Sequence, residues 1–128
     1  MNKTLVILFI TFISFGCFAQ DNPTKVVTPE EFNNLISQSD TLVVLDVRTA
    51  KEFESGHIKD AVNIDFYDAD FKDSLSKLDK NKTYFVYCKL GGRSNSACSI
   101  LSELGFEKLY NLKGGIVDWT AQGYSVVK

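Results

Sequence analysis

The sequence predicts one α/β domain whose parallel sheet is covered by helices on both faces. Segments rich in β-branched and aromatic residues alternate with segments of helical periodicity along most of the 128 residues. Two of the strand segments, 41–46 and 83–87, are almost continuously apolar, which is typical of strands buried on both faces. The chain is 45% hydrophobic, enough to supply the core of one domain of this size.

The order of the elements follows from local signals. Two helix starts carry a capping box, in which a Thr is followed three residues later by a Glu: Thr28 with Glu31, and Thr49 with Glu52. In the first half we expect a strand at 26–27, a helix from Thr28 that buries Phe32, Leu35 and Ile36, a strand at 41–46, and a short helix from Thr49 ended by Gly56. A strand at 61–64 and a helix at 70–78 that buries Phe71, Leu75 and Leu78 should follow. The last elements should be a strand at 83–87, a helix at 94–105, a strand at 108–112, and a helix opened by Gly114 and Gly115.

Residues 1–19 are predicted to be a secretory signal peptide. Lys3 supplies a positive start, and the apolar run 5–13 is too short to span a bilayer comfortably. Cleavage after Ala19 would leave small residues at the two positions that signal peptidase reads, so we expect an exported, periplasmic bacterial protein; an uncleaved membrane anchor is the alternative. Lipid attachment at Cys17 is not favoured, because the residues before it lack the leucine and small-residue pair usual in lipoprotein signals.

The composition of the remaining chain, 20–128, excludes several classes of protein. Acidic residues slightly outnumber basic ones, for a net charge of −2 over the whole sequence, and no basic stripe is present, so we expect no nucleic-acid partner. After the signal peptide only Cys88 and Cys98 remain, and they form neither a disulfide framework nor a C-x-x-C motif. We expect a monomer, free of the membrane after cleavage, that uses its main cysteine.

Cys88 ends one apolar strand and opens a loop that contains two glycines. The loop lies between the carboxyl end of strand 83–87 and the amino end of helix 94–105, where backbone N–H groups are unpaired and the helix dipole is positive. Gly91 and Gly92 allow the backbone to curl into a nest that holds an anion. A thiol inside such a ring ionises easily, so the sequence predicts an activated sulfur nucleophile.

A second motif leaves the end of a neighbouring strand. Asp46 and Arg48 follow the apolar strand 41–46 as Cys88 follows its own strand. In parallel sheets, ligands bind where loops leave the carboxyl ends of the strands. We therefore expect the two motifs to share one rim, with Asp46 and Arg48 supporting the pocket or forming an ion pair there.

Together these residues resemble the rhodanese family of sulfurtransferases, a resemblance that covers about 26–123. Three groups carry it: 45–48 with Glu52, Phe53, 56–58, Ala61 and 63–64; then Cys88, Gly91, Arg93 and Ser94; then 104–106 with Leu112, Gly114, Gly115 and Trp119. The resemblance implies a three-layer sandwich around a five-stranded parallel sheet in the order 3-2-4-5-1.

The resemblance also implies a reaction. The Cys88 thiolate would take a sulfane sulfur from thiosulfate or another small anionic donor and pass it to a thiol or cyanide, with no cofactor and no metal. The residues expected to bind substrate around it are Lys89, Leu90, Gly91, Gly92, Arg93 and Ser94. Two alternatives stay open: a non-catalytic persulfide carrier that serves a protein partner, and an anion-binding domain whose cysteine is incidental.

The length of the loop separates this chain from phosphatases of the same fold. Those enzymes place five residues between the cysteine and the arginine, whereas four lie between Cys88 and Arg93 here. A shorter loop makes a tighter ring, suited to one extra sulfur atom rather than a phosphate. Tyr87 also stands where the tyrosine-phosphatase signature usually has a histidine.

Five further side chains receive individual expectations. Lys89 is either an ordinary solvated lysine or a recognition group for an anionic donor, and the sequence favours neither. Arg93 is expected to bridge the loop to carbonyls or a carboxylate while adding positive potential. His57, although the only histidine, is expected to make a structural hydrogen bond rather than act as a base. Cys98 and Trp119 are expected in the core.

Overall fold

The computed structural model describes residues 22–128 and, apart from them, Gly16. Strands and helices alternate throughout, as the sequence predicts. In chain order the elements are β1 (Thr24–Val27), α1 (Pro29–Ile36), β2 (Leu42–Asp46), α2 (Ala50–Ser55), β3 (Val62–Asn63), α3 (Phe71–Ser76), β4 (Thr83–Tyr87), α4 (Gly92–Glu103), β5 (Leu109–Leu112) and α5 (Gly115–Ala121).

The five strands form one parallel sheet in the order β1-β5-β4-β2-β3, the expected order 3-2-4-5-1 counted from the other edge. In the register of β2 with β4, Leu42 lies beside Thr83 and Asp46 beside Tyr87. The two strands therefore end level with each other. Asp46 and Cys88, which immediately follows Tyr87, lie at the same edge of the sheet, as the shared-rim hypothesis requires.

Both predicted capping boxes are present. The Thr28 hydroxyl accepts from the N–H of Glu31 at 3.2 Å, and the Glu31 carboxylate accepts from the N–H of Thr28 at 3.1 Å. Thr49 and Glu52 repeat this exchange at the start of α2. Each box satisfies N–H groups that a helix start leaves without partners, which is why these two helices begin where the sequence predicts.

Each face of the sheet carries its own core, so the sandwich has three layers. One face is covered by α3 and α4, through Phe71, Leu75, Ala97, Cys98 and Leu101. The opposite face is covered by α1 and α5, through Phe32, Ile116 and Trp119. The strands between them are buried on both sides, which explains the continuous apolar character of β2 and β4.

The element bounds differ slightly from the predicted ones. Helix α4 begins at Gly92 instead of residue 94, because Gly91 already turns the chain with a φ of +109°, a left-handed conformation that glycine adopts without steric cost. Apart from Gly16, the predicted signal peptide, including Cys17, lies outside the described residues and stays a prediction. Among residues 22–128, no helix is long and apolar enough to cross a membrane.

Candidate active site

The main-chain path around Cys88 forms a tight turn. Cys88 directly follows β4, and Gly91 occupies the position before the first residue of α4. The backbone N–H groups at the start of α4 consequently point back toward the cysteine. Cys88 is 2% exposed, so its sulfur lies at the bottom of this turn rather than on the surface.

Hydrogen bonds surround the Cys88 sulfur. The N–H of Gly91 donates to Sγ at 3.0 Å, and the hydroxyl of Ser94 lies 3.3 Å from it. Burial would raise the pKa of Cys88, but the Ser94 hydroxyl and the N–H groups of Ser94, Gly91 and Leu90 outweigh that effect and lower the pKa below its ordinary value. The turn therefore favours a thiolate, as the sequence predicts for this loop.

Ser94 is itself held by a residue that the sequence analysis did not single out. The Ser94 Oγ lies 2.7 Å from Oδ1 of Asn111 on β5 and 3.1 Å from the carbonyl of Gly91. Asn111 is 4% exposed, and it is a polar residue within a buried strand. A polar residue inside an apolar strand could have pointed to this contact from the sequence, because a buried amide requires a hydrogen-bond partner.

Arg93 bridges two helices. Its guanidinium donates to both carboxylate oxygens of Glu52, at 2.8 and 2.9 Å, and so ties the start of α4 to the start of α2. The hydrogen bonds from Arg93 lower the pKa of Glu52 to about 2. Of the partners expected for Arg93, carbonyls or a carboxylate, the structure shows a carboxylate. Glu52 was expected from its capping box and its place in the family motif, and neither predicts this pairing.

Asp46 and Arg48 form a buried ion pair. The closest contact between their side chains is 2.7 Å, and the residues are 0% and 5% exposed. The same guanidinium nitrogen donates to the carbonyl of Gly56 at 2.7 Å, which fixes the end of α2. The pair therefore supports the turn between α2 and β3; the ion pair considered from the sequence is present, and it is buried rather than exposed at the rim.

Helix α5 holds the loop through backbone hydrogen bonds. The N–H groups of Ile116 and Val117, in its first turn, donate to the carbonyls of Cys88 and Lys89 at 2.9 and 3.2 Å. Gly115 has a φ of +61°, and a Cβ at this position would overlap the carbonyl group of Lys89. The backbone of the loop can approach α5 this closely only over a glycine, which gives Gly115 a role in shaping the site.

Two predicted binding residues lie on the surface. Lys89 and Leu90 are exposed at the tip of the loop, and Leu90 retains 67% of its accessible surface. Lys89 also lines a cleft of about 320 Å³ whose walls include Glu52, Val117 and Val126. Lys89 forms no salt bridge with any residue in 22–128, and its exposed position next to Cys88 is compatible with both interpretations.

The structural expectations for three other side chains are met. His57 Nδ1 lies 2.9 Å from the carbonyl of Phe53, and the two rings stack with centroids 3.7 Å apart. Cys98 is completely buried, and burial raises its pKa to about 12. Trp119 is 3% exposed and donates its indole N–H to the carbonyl of Ser125. Each contributes to packing rather than to the hydrogen bonds at the Cys88 sulfur.

Comparisons with known proteins agree with this geometry. The sequence model of the family described as "Rhodanese-like domain" matches residues 28–122. A protein named sulfurtransferase from Allochromatium vinosum is 28% identical over 101 residues, which cover 79% of this chain and 92% of that protein. The crystal structure of a rhodanese-related protein from Thermoplasma volcanium superposes with a TM-score of 0.71 at 31% identity, covering 80% of this chain and 97% of its own.

One similar group of proteins carries a different name. The tRNA uridine(34) hydroxylase of Cytophaga hutchinsonii is 39% identical over 98 residues. The match covers 74% of this chain but 31% of the hydroxylase, so the similarity is confined to one part of that longer protein.

Proposed function

Because the chain belongs to the rhodanese-like domain family, we propose that it moves a sulfane sulfur from thiosulfate or a persulfide donor to a thiophilic acceptor through a persulfide on Cys88. The observation that carries this proposal is the hydrogen-bonded turn around Cys88, in which N–H and O–H donors lower the thiol pKa despite burial. A role in sulfur transfer is supported by the relative named sulfurtransferase. Hydroxylation is not proposed, because this chain covers only 31% of the hydroxylase.

The first half of the reaction forms the persulfide. The Cys88 thiolate attacks the outer sulfur of thiosulfate, a new S–S bond forms, and the electron pair of the old S–S bond leaves with sulfite. The N–H groups of Gly91 and the first turn of α4 stabilise the negative charge on sulfur, as an oxyanion hole does for oxygen. Arg93 adds positive potential while its pair with Glu52 holds the turn in shape.

The second half regenerates the enzyme. A thiolate or cyanide attacks the outer sulfur of the persulfide, and the electron pair of that S–S bond returns to Cys88 as a thiolate. Splitting the transfer into two displacements gives each step a good leaving group. The four-residue spacing between Cys88 and Arg93 supports a sulfur substrate, because the resulting ring is tighter than that of a phosphatase.

The test combines turnover with detection of the intermediate. Purified protein should convert thiosulfate and cyanide into thiocyanate and sulfite. Incubation with thiosulfate alone should add the mass of one sulfur atom to the peptide that contains Cys88. Cys98→Ser is the matched control, because Cys98 is completely buried with a raised pKa, so the variant should still gain one sulfur on the Cys88 peptide. Absence of both turnover and adduct would overturn the proposal.

A second candidate function has its own observation. Leu90 and Tyr67 are large apolar side chains that are 67% and 68% exposed, and Tyr67 lies beside Arg93, with the guanidinium 5.6 Å from its ring centroid. Exposed apolar side chains beside the loop favour contact with a protein partner over binding of a small acceptor such as cyanide. A persulfide carrier of this kind would form the Cys88 adduct stoichiometrically but show no sustained turnover with cyanide.

A further inference from the structure

The Ser94 hydroxyl has more acceptors than it can serve. Its single hydrogen lies within reach of Asn111 Oδ1 at 2.7 Å, the Gly91 carbonyl at 3.1 Å and the Cys88 sulfur at 3.3 Å. The shortest contact is with Asn111, so the hydrogen points there when Cys88 is a thiol. The thiol can then donate its own hydrogen to the free lone pair of the Ser94 oxygen.

Ionisation of Cys88 reverses these requirements. The sulfur anion needs a donor, and the Ser94 hydroxyl can supply one only by turning its hydrogen away from Asn111. If nothing else changed, Oδ1 of the buried Asn111 would then lose the one partner it has among residues 22–128, and such a loss is costly inside a protein. A serine acting alone would thus stabilise the thiolate at the expense of Asn111.

The amide group of Asn111 can resolve this conflict. An Asn side chain carries an acceptor on one side and a donor on the other, and its terminal torsion has two roughly equivalent settings. Among residues 22–128, the hydrogen bond from Ser94 to Oδ1 is the one side-chain hydrogen bond of Asn111, so no other described contact opposes rotation of its amide. After rotation Nδ2 donates to the Ser94 oxygen, and the Ser94 hydrogen is free to point at the sulfur.

We propose that Asn111 is a positioning residue whose amide reverses with the state of the Cys88 sulfur, accepting from Ser94 when the sulfur is a thiol and donating to Ser94 when it is an anion. The role rests on the proposed function, because the anion is the form that attacks the sulfur donor. Asn111 lies between β1 and β4 in the sheet, in register with Val26 and Val86, so its Cα cannot shift to avoid the exchange.

Charged and titratable groups near Cys88 come from several elements, and Asn111→Leu, Asn111→Ala and Ser94→Ala leave all of them in place. Arg93 and Cys98 on α4 interact electrostatically with Cys88, Lys89 follows it in the loop, Asp46 and Arg48 lie at the same end of the sheet, and Asp118 belongs to the first turn of α5, which holds the loop. A change in the titration of Cys88 between variants therefore reports on the substituted side chain.

The experiment measures the rate of Cys88 alkylation by iodoacetamide against pH in the full chain, with the modified peptide located by mass spectrometry. Asn111→Leu keeps the size of the side chain but neither donates nor accepts. We expect it to raise the pKa of Cys88 and to slow alkylation below that pKa about three- to tenfold. In a Ser94→Ala background the same substitution should have no effect, because Asn111 acts through Ser94.

A second variant keeps an acceptor at this position but removes the donor and adds a charge. Ionised Asn111→Asp cannot donate to Ser94, and its negative charge also disfavours a nearby thiolate, so it should slow alkylation at least as much as Asn111→Leu. If circular dichroism shows that Asn111→Leu is unfolded, Asn111→Ala replaces it with the same expected direction. An unchanged or lowered pKa in the apolar variant would overturn the proposal, and so would a shift of equal size in the Ser94→Ala background.

The two proposals fail separately, because alkylation requires no sulfur donor. The expected pKa shifts in a protein that forms no persulfide would contradict only the proposed function. Unshifted values in a protein that turns over thiosulfate would contradict only the role of Asn111.

Discussion

The two described cysteines are ten residues apart in sequence, both are buried, and they behave in opposite ways. Cys88 is 2% exposed and Cys98 is 0% exposed, so burial raises the pKa of each thiol. For Cys98 that effect prevails, and the pKa rises to about 12. For Cys88 it is outweighed by hydrogen bonds, and the pKa falls below the ordinary value.

The difference shows that hydrogen-bond donors, rather than exposure, decide the direction in which the pKa of each thiol shifts. Cys98 lies in the middle of α4, where the backbone N–H groups are already bonded within the helix. Cys88 lies before the first turn of the same helix, where the N–H groups are unpaired and Ser94 adds a hydroxyl. A thiol within the helix thus has its pKa raised, and a thiol just before the same helix has its pKa lowered.

The strongest way to break this comparison is to remove the reactive thiol. Cys88→Ser should lose sulfur transfer completely, because an alcohol neither ionises near neutral pH nor holds a persulfide. Thiocyanate formation measures the loss, and circular dichroism should show an unchanged fold, since the hydroxyl replaces a sulfur of similar shape. Activity above about a tenth of wild type would contradict the assignment of Cys88 as the nucleophile.

The next largest effect is expected where α5 supports the loop. Gly115→Ala places a methyl group on the carbonyl of Lys89, so the loop must move and its donors no longer converge on the Cys88 sulfur. We expect transfer to fall at least about a hundredfold, the scale of losing one well-placed donor. Gly123→Ala is the matched control, because Gly123 also has a positive φ, of +87°, but nothing lies near its added Cβ. Equal activity of the two variants would show that the close approach at Gly115 is unimportant.

The Arg93–Glu52 pair, which holds the loop that precedes α4, should stabilise the protein in a pH-dependent way. The folded pKa of Glu52 is about 2, below the ordinary value of 4.5, so its stabilising effect is complete above pH 4.5 and is lost as the pH falls toward 2. Glu52→Gln should therefore lower the free energy of unfolding by about 1–3 kcal/mol at pH 7 and by much less near pH 2. Urea denaturation measures both values. Glu54→Gln, an exposed change on the same helix, should have little effect at either pH.

Local signals predicted most of the fold, and contacts distant in sequence escaped prediction. The capping boxes, the strands and the glycine-containing turn depend on residues within a few positions of one another, so their patterns are readable from the sequence. Arg93 and Glu52 are 41 positions apart, and Ser94 and Asn111 are 17 apart. No periodicity specifies such pairs, because sheet order decides which residues meet.

The sheet order itself was not read from periodicity. Alternation of strands and helices indicates a parallel sheet but leaves the order of strands open, and the order came from the resemblance carried by the motifs. The level ends of β2 and β4, which bring Asp46 and Cys88 to one edge, follow from that order and its register. The buried state of the Asp46–Arg48 pair could not be inferred, because it depends on how α2 and β3 cover it.

A smaller effect is expected at Lys89. Its exposed ammonium group can attract an anionic donor without touching the transferred sulfur, so Lys89→Ala should raise KM for thiosulfate a few-fold and change kcat little. The difference should shrink in high salt, because exposed charges are screened within about 10 Å at 0.1 M. Lys82→Ala is the control, since Lys82 precedes β4 and therefore lies at the other end of that strand from Cys88. Equal kinetics for all three proteins at low salt would leave Lys89 a solvated lysine.

The smallest effect on transfer is expected at Cys98, and it tests the comparison from its inert side. Cys98→Ala removes one buried sulfur atom from the core, at a cost of about 1 kcal/mol in the free energy of unfolding, and should leave thiosulfate turnover unchanged. A thiol with a pKa near 12 is almost wholly protonated at neutral pH, so Cys98 cannot attack the Cys88 persulfide as a resolving cysteine would. Among residues 22–128, Cys88 and Cys98 are free thiols, and thiol titration of protein unfolded without reductant should find these two free. A Cys88–Cys98 disulfide in that titration, with turnover lost in Cys98→Ala, would contradict this comparison and indicate dithiol redox chemistry.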